Sequence, residues 1–299
     1  MRLAAFVLAS ITLGLAGLGG TAHASIPVCA DAVKPVVIQQ DQGMLESAIF
    51  DDDGQLLLSN ISKKAVQVMP NRAAPISVLF GGLPNAPGGL ALGDQRDLYV
   101  GMSNGLGGFV PSLRSASILR IDLVTGIRQT YAEGLTMSNG IKRGRDGTVY
   151  ASNDLAKSLD RVLPNGQVEA GWLKQNSNGM AFSADGQTLF FNQTFPAKVM
   201  AVDLRTSQVR VHAEPTDIWD GLAAFDGMAI DSQGNLLVAA YVQGKVLRVS
   251  PNGALCAVAS GLSLPSDLAI GTGRNGFTAG NVYVTSHSGR LYELPGVAR

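Results

Sequence analysis

From residue 45 onward the chain falls into short apolar-alternating runs separated by tight polar turns, and the same arrangement returns six times. The six stretches are LESAIFDDDGQLLLSN, PGGLALGDQRDLYVG, SNGIKRGRDGTVYASN, SNGMAFSADGQTLFFN, FDGMAIDSQGNLLVAA and PSDLAIGTGRNGFTAGNVYVTS. Each has a polar or small pair, an alternating strand, a glycine-containing turn and a second apolar strand. Four of the turns hold Asp53-Gly54, Asp146-Gly147, Asp185-Gly186 or Gln233-Gly234. Two more strands follow in most units. In the fifth, KVLRVSP turns at Asn252-Gly253 into LCAVASG; in the fourth, KVMAVDL turns at RTS into QVRVHAE. This alternation, punctuated every few residues, specifies antiparallel strands. No segment after the first 24 residues carries a sustained helical period with caps.

Six units of about four strands, set radially, predict an all-β fold: a six-bladed β-propeller of four-stranded antiparallel blades, one domain over residues 25–299. The last unit lacks a fourth strand. The early stretch VKPVVIQQ, residues 33–40, has no unit of its own and could supply it, joining the two ends and removing an exposed edge. The second unit carries an insertion, MSNGLGGFVPSLRSAS (102–117), placed to cover the mouth of the propeller or to decorate its rim.

Composition agrees with many short strands and tight turns: 36 glycines, 46% apolar residues and only 15% charged ones. The first 24 residues hold one basic residue, Arg2, a long apolar run and the small-x-small signal Ala22–Ala24, which reads as a secretory signal peptide cut before Ser25. A lipid-attachment signal is not expected, because Val28 precedes Cys29 where a small residue is needed. Removing Arg2 leaves 22 basic against 23 acidic side chains, a net charge of −1. That balance gives no reason to expect nucleic acid or an anionic membrane as partner. The expected mature protein is a monomer, periplasmic or secreted, with no membrane insertion after cleavage. An oxidising compartment permits a disulfide between Cys29 and Cys256, though the sequence leaves their pairing open.

The candidate chemistry lies just before each inner strand. The six units place Glu46, Gly88, Asn139, Asn178, Asp226 and Ser266 there, at intervals of 42, 51, 39, 48 and 40 residues. In a propeller these positions converge around one axis at one mouth. Four of them bear side-chain oxygens, two carboxylates and two amides, a donor set suited to a hard divalent cation such as calcium. Without a cation, two inward carboxylates repel each other and lose hydration. Taken singly, Asn139 and Asn178 read as ordinary Asn-Gly turns, as Asn165-Gly166 and Asn252-Gly253 do between outer strands. Their match to Glu46 and Asp226 is what sets them apart.

Other residues read as bland. His212 lies in an outer strand and His287 ends a second strand, both as surface or turn histidines without a metal-spaced partner. Asp146, Asp185 and Asp231 fall at the inner turns, away from the mouth. No G-x-S-x-G, H-E-x-x-H or phosphate loop is present, which removes support for serine-hydrolase, zinc-protease and nucleotide readings.

LESAIF, SNGMAFSADGQTLFFNQT and FDGMAIDSQGNLLVAAYVQGKVLRVSPNG resemble the regucalcin (SMP-30)/gluconolactonase family through essentially the whole mature chain, most strongly over residues 170–253. The resemblance implies a six-bladed propeller with a divalent cation, often calcium, at one mouth, hydrolysing lactones or related esters. It implies Glu46, Asn178 and Asp226 as metal ligands, with Asn139 contacting substrate or a metal-bound water. Sugar-lactone members carry an arginine two residues before that asparagine, where this chain has Met137. The departure points to a less polar lactone or ester, unless Arg114 of the insertion reaches in. The expectation is therefore an exported, calcium-dependent lactonase or esterase with Asp226 as general base or, secondarily, nucleophile. Two alternatives stand beside it: a non-catalytic binding propeller with a structural cation, and a metal-free propeller resembling strictosidine synthase.

Overall fold

The computed structural model describes residues 25–94, 96–103 and 105–299; the leader read at residues 1–24 lies outside them. Two strands come first, β1 (Val28–Val33) and β2 (Val36–Gln39). The first blade is β3 (Leu45–Phe50), β4 (Leu56–Asn60), β5 (Ala65–Met69) and β6 (Ser77–Phe80). The second is β7 (Pro87–Leu92), β8 (Asp97–Met102), β9 (Ala116–Asp122) and β10 (Arg128–Leu135). Next come β11 (Ile141–Arg143), β12 (Val149–Ser152), β13 (Lys157–Val162) and β14 (Val168–Asn176), the third blade. The fourth holds β15 (Met180–Phe182), β16 (Thr188–Gln193), β17 (Lys198–Asp203) and β18 (Val209–Ala213). In the fifth are β19 (Phe225–Ile230), β20 (Leu236–Ala240), β21 (Lys245–Val249) and β22 (Leu255–Ser260). The sixth contributes β23 (Pro265–Ile270), β24 (Val282–Ser286) and β25 (Leu291–Leu294).

These strands form six sheets, a six-bladed β-propeller. Each blade's strands are antiparallel neighbours, in sequence order from the axis outward. In the sixth, the outermost place is taken by β2, with Val36 opposite Glu293 and Val37 opposite Tyr292. The fifth blade departs from four strands, because β1 adds to its outer edge parallel to β22. Only Cys29 of β1 is buried; the strand's other residues are exposed or half-exposed, so it carries little of the apolar alternation that marks the others.

The core is divided. Six apolar clusters fill the wedges between neighbouring blades, as face-to-face sheets require. Phe225, Met228 and Val238 of the fifth blade meet Val199 and Ala181 of the fourth. Phe50 of the first packs edge-on against Phe277 and Tyr283 of the sixth. The axial cavity is lined by polar side chains and glycines together with Ile141 and Met180.

The N-terminal segment is fastened at several points. Cys29 and Cys256 form a disulfide between β1 and β22. Asp31 pairs with Arg248 at 2.9 Å and with Arg299, and the Arg248 hydrogen bond leads in holding its carboxyl down to about 2 against some desolvation. The Ile26 amide donates to the buried carboxylate of Asp220 at 2.7 Å. Because the disulfide links residues 227 apart, its removal releases a large loop in the unfolded chain. Replacing both cysteines by serine is expected to cost about 2–4 kcal/mol, read from urea unfolding. An unchanged midpoint and slope would show that the strap's other contacts suffice.

Candidate active site at the channel mouth

A repeated local irregularity builds the site. Phe225 pairs with Ala240 and Met228 with Val238, so three steps along β19 face two along β20. The same offset lies between Leu45 and Ala48 on β3, Pro87 and Leu90 on β7, and Pro265 and Leu268 on β23. Such bulges bend the strand and re-aim a side chain. The displaced pairs are Glu46-Ser47, Gly88-Gly89, Asp226-Gly227 and Ser266-Asp267. In the third and fourth blades Asn139-Gly140 and Asn178-Gly179 stand just before β11 and β15. There the Ser152 amide donates to the Gly140 carbonyl and the Asn192 amide to that of Gly179, each at 2.9 Å. The six aligned positions therefore share one place in their blades.

The glycines of these pairs have a different reason from the one their spelling suggests. Asp226-Gly227 reads as a turn, yet Gly227 lies inside β19 and lacks a positive φ. A Cβ there would collide with Ser266 and Asp267 of the sixth blade, and one on Gly179 would strike the Asp226 carbonyl and Gly227. Neighbouring inner strands approach so closely at the axis that only glycine fits. Side chains of one blade tie the mouth to the next: Asn192 Nδ2 donates to the Asp226 carbonyl at 2.6 Å, and Ser266 Oγ to the Leu45 carbonyl at 2.7 Å. Ser266 is thereby a structural link.

Glu46, Asn139, Asn178 and Asp226 line one narrow cavity together with Ser47, Lys142 and Asp267. Its open space is about 20 Å³, room for a single ion or water. Glu46 is 7% exposed and Asn178 4%. Asn139 Nδ2 approaches Glu46 Oε1 at 3.4 Å, while Asn178 hydrogen-bonds to the Asp226 carboxylate and reaches Thr194 Oγ1 at 3.4 Å. Burial drives the Asp226 carboxyl well above its ordinary 3.8, and the charges of Glu46, Asp154 and Asp267 push it the same way. Burial also raises Asp267, which Lys142 opposes; Asp267 accepts from Ser47 Oγ at 2.7 Å.

Three residues at this mouth are absent from the aligned set. His287 is not a surface histidine: its Nε2 contacts Glu46 Oε2, and its Nδ1 lies 3.1 Å from the Tyr241 hydroxyl. Burial alone would lower the imidazole, but the charge and hydrogen bond of Glu46 reverse the direction and raise it. Burial, reinforced by Asp226 and Glu46, pushes the Tyr241 phenol up to about 12. Asp154 is the third; burial first, then Glu46, brings its carboxyl up to about 7, and its Oδ1 is sealed from solvent with no hydrogen-bond partner. A positional signal existed for all three. Tyr241 and His287 directly follow the second strands of their blades, and Asp154 follows at one remove, forming a second circle around the first. His212, by contrast, packs edge-on against Phe190 in an outer strand, as expected.

The donors fit a hard cation. They are oxygens, mostly carboxylate and amide, and the excess of buried negative charge includes an unsatisfied carboxylate oxygen. Among the described residues no three His, Cys, Asp or Glu side chains stand close enough to enclose an ion. A cation here must therefore combine Glu46 and Asp226 with amide oxygens and water.

The family model described as "SMP-30/Gluconolactonase/LRE-like region" matches residues 44–288. Regucalcin of Xenopus laevis is 29% identical over 106 residues, 35% of this chain and 31% of that protein. Lactonase drp35 of Staphylococcus saprophyticus is 33% identical over 112 residues, 36% of this chain and 32% of that protein. The matched region thus spans about a third of each curated relative. A solved structure of a calcium-binding regucalcin from Agrobacterium tumefaciens superposes with a TM-score of 0.69 at 20% identity, covering 89% of this chain and 96% of that one. At that identity the likeness concerns the fold.

Proposed function

This chain belongs to the SMP-30/gluconolactonase/LRE-like family, and on that premise we propose that it is an exported hydrolase of a lactone or related ester, dependent on a divalent cation, calcium by donor type. The observation that carries the reading is the convergence of Glu46, Asn139, Asn178 and Asp226, from four different blades, on one ion-sized space. Glu46 and Asn178 would hold the cation, and Asp226 would complete the set. When bound, the cation supplies Lewis-acid polarisation of the substrate carbonyl and charge stabilisation as water adds.

Asp226 is the general base. Water adds its oxygen to the acyl carbon, its proton passes to the Asp226 carboxylate, the ring C–O bond breaks, and the departing alkoxide takes that proton from Asp226, which is left ionised again. Asn139, more open than Glu46, presents its amide to the substrate or to the attacking water. The Cys29–Cys256 disulfide supports an oxidising location, in keeping with the leader read at residues 1–24.

Substrate polarity is read from the insertion, whose Gly108 carbonyl accepts from Asn153 Nδ2 next to Asp154. Met137 is 5% exposed, and the turn Gly105–Phe109 of the insertion closes over it, with Gly108 packed against its sulfur. Phe109, Val110, Leu113 and Arg114 are all exposed on that insertion, outside the ion-sized cavity, and three of the four are apolar. A lactone or ester with an alkyl or aryl substituent suits this mostly apolar insertion better than a polyhydroxylated ring. The test is a panel of alkyl- and aryl-substituted lactones, aryl esters and a sugar lactone, assayed with calcium and then with chelator. Turnover of the apolar members that chelator removes is the expected outcome. Turnover confined to the sugar lactone overturns the substrate class, and no turnover by calcium-loaded protein overturns hydrolysis in favour of binding.

A further inference from the structure

We propose that Tyr241 and His287 form a hydrogen-bond relay that fixes the Glu46 carboxylate for cation binding, making both of them positioning residues; this rests on the metal-dependent reading above. The relay joins three blades, since Tyr241 follows β20, His287 follows β24 and Glu46 lies in the bulge of β3.

The link to Glu46 follows from the groups. A carboxylate accepts only, so the proton shared with Glu46 Oε2 sits on His287 Nε2. Nδ1 meets the Tyr241 hydroxyl 3.1 Å away: it accepts from that hydroxyl when the ring is neutral and donates to its oxygen when the ring is protonated, and either way the phenol holds the imidazole. The two rings also meet edge-on, with centroids 5.3 Å apart at 74°. His287 is held from behind by its own amide, which donates to the Leu264 carbonyl at 3.1 Å, and its side chain is 16% exposed. Little freedom is left to the ring.

The consequence falls on Glu46. Among the described residues its other oxygen has the 3.4 Å approach of Asn139 alone, so His287 makes the firmer contact. Glu46 sits close enough to Asp226 and Asp154 for its charge to act on both, so its carboxylate needs a partner to hold it in place. The histidine contact supplies that partner at Oε2, while Glu46 still lines the cavity. Partners that orient a ligand in this way are typically worth about 10- to 100-fold in metal affinity.

The test is calcium titration calorimetry on the full mature chain, for the parent, His287→Phe, His287→Gln, Tyr241→Phe and the Tyr241→Phe/His287→Phe pair. His287→Phe is expected to weaken calcium binding by about 10- to 100-fold, and His287→Gln, which keeps an N–H donor, to recover most of it. Tyr241→Phe should weaken binding by a smaller factor and have no further effect once His287 is phenylalanine, because it acts only through the imidazole. Melting points in chelator should stay with the parent, which a purely structural role would not allow. Parent-like affinity in His287→Phe, or losses that simply add, overturns the relay. If His287→Phe fails to fold, Tyr241→Phe, which removes one oxygen atom, decides alone. A parent that takes up no calcium overturns the metal reading and the relay together, whereas a calcium-binding parent with indifferent variants overturns the relay only.

Discussion

Asp226→Asn should keep the fold and reduce lactone turnover by at least about a hundred- to ten-thousandfold, the usual worth of a positioned general base. The substitution is nearly isosteric, and an amide can still meet Asn178, so the bulge of β19 should persist. What disappears is the only cavity carboxylate assigned to accept the water's proton, together with one of two formal charges on the cation. Saturating calcium must therefore be used, and kcat compared at equal metal content. Parent-like kcat in the loaded variant removes Asp226 from the mechanism.

The same variant carries a stability signature of opposite sign. The Asp226 carboxyl in the folded, metal-free chain titrates well above its ordinary 3.8, through burial first and then Glu46, Asp154 and Asp267. On raising pH the unfolded chain loses this proton before the folded one does. Metal-free stability therefore falls as pH rises from the ordinary carboxylate range through the elevated folded value. The amide introduced by Asp226→Asn has no such proton, so in chelator at neutral pH the variant should melt no lower than the parent. A lower melting point would mean that Asp226 stabilises the metal-free fold.

Glu46→Gln carries the second large effect, and it separates a ligand from a base. Loss of one of the two carboxylate charges should weaken calcium on the order of a hundredfold. Glu46 accepts no proton in the reaction, so high calcium should restore much of the parent kcat. Asp226→Asn should resist that rescue. Calcium dependence of kcat, measured for both variants across a wide concentration range, decides the matter. Equal failure of both to recover would place Glu46 in the proton-transfer step as well.

The six repeats were legible because each alternates apolar and polar residues around a glycine turn, and a blade needs that pattern in sequence-local form. The circle of Glu46, Asn139, Asn178 and Asp226 was legible by alignment of those repeats. Asp226-Gly227 was legible as a motif but not as a reason, since the crowding of Gly227 comes from Ser266 and Asp267 about forty residues away. His287 was missed because its partner Glu46 lies 241 residues distant and no spacing rule reaches that far. Asp154 follows Asn153, whose own side chain caps the turn through the Leu155 and Ala156 amides, so the dipeptide looks like ordinary loop chemistry. β1 escaped because one buried residue in six leaves no alternation to read.

The strap formed by β1 and β2 also sets a timetable. These strands are made before any blade, yet their partners lie at residues 255–260 and 291–294. While the ribosome works through the first five blades, both strands must wait with unpaired edges, and the Cys29 thiol has no Cys256 to meet. Pairings of such long sequence separation close slowly. A nascent chain stopped before β25 would leave β2 with no partner strand, so closure of the ring is withheld until synthesis is nearly complete.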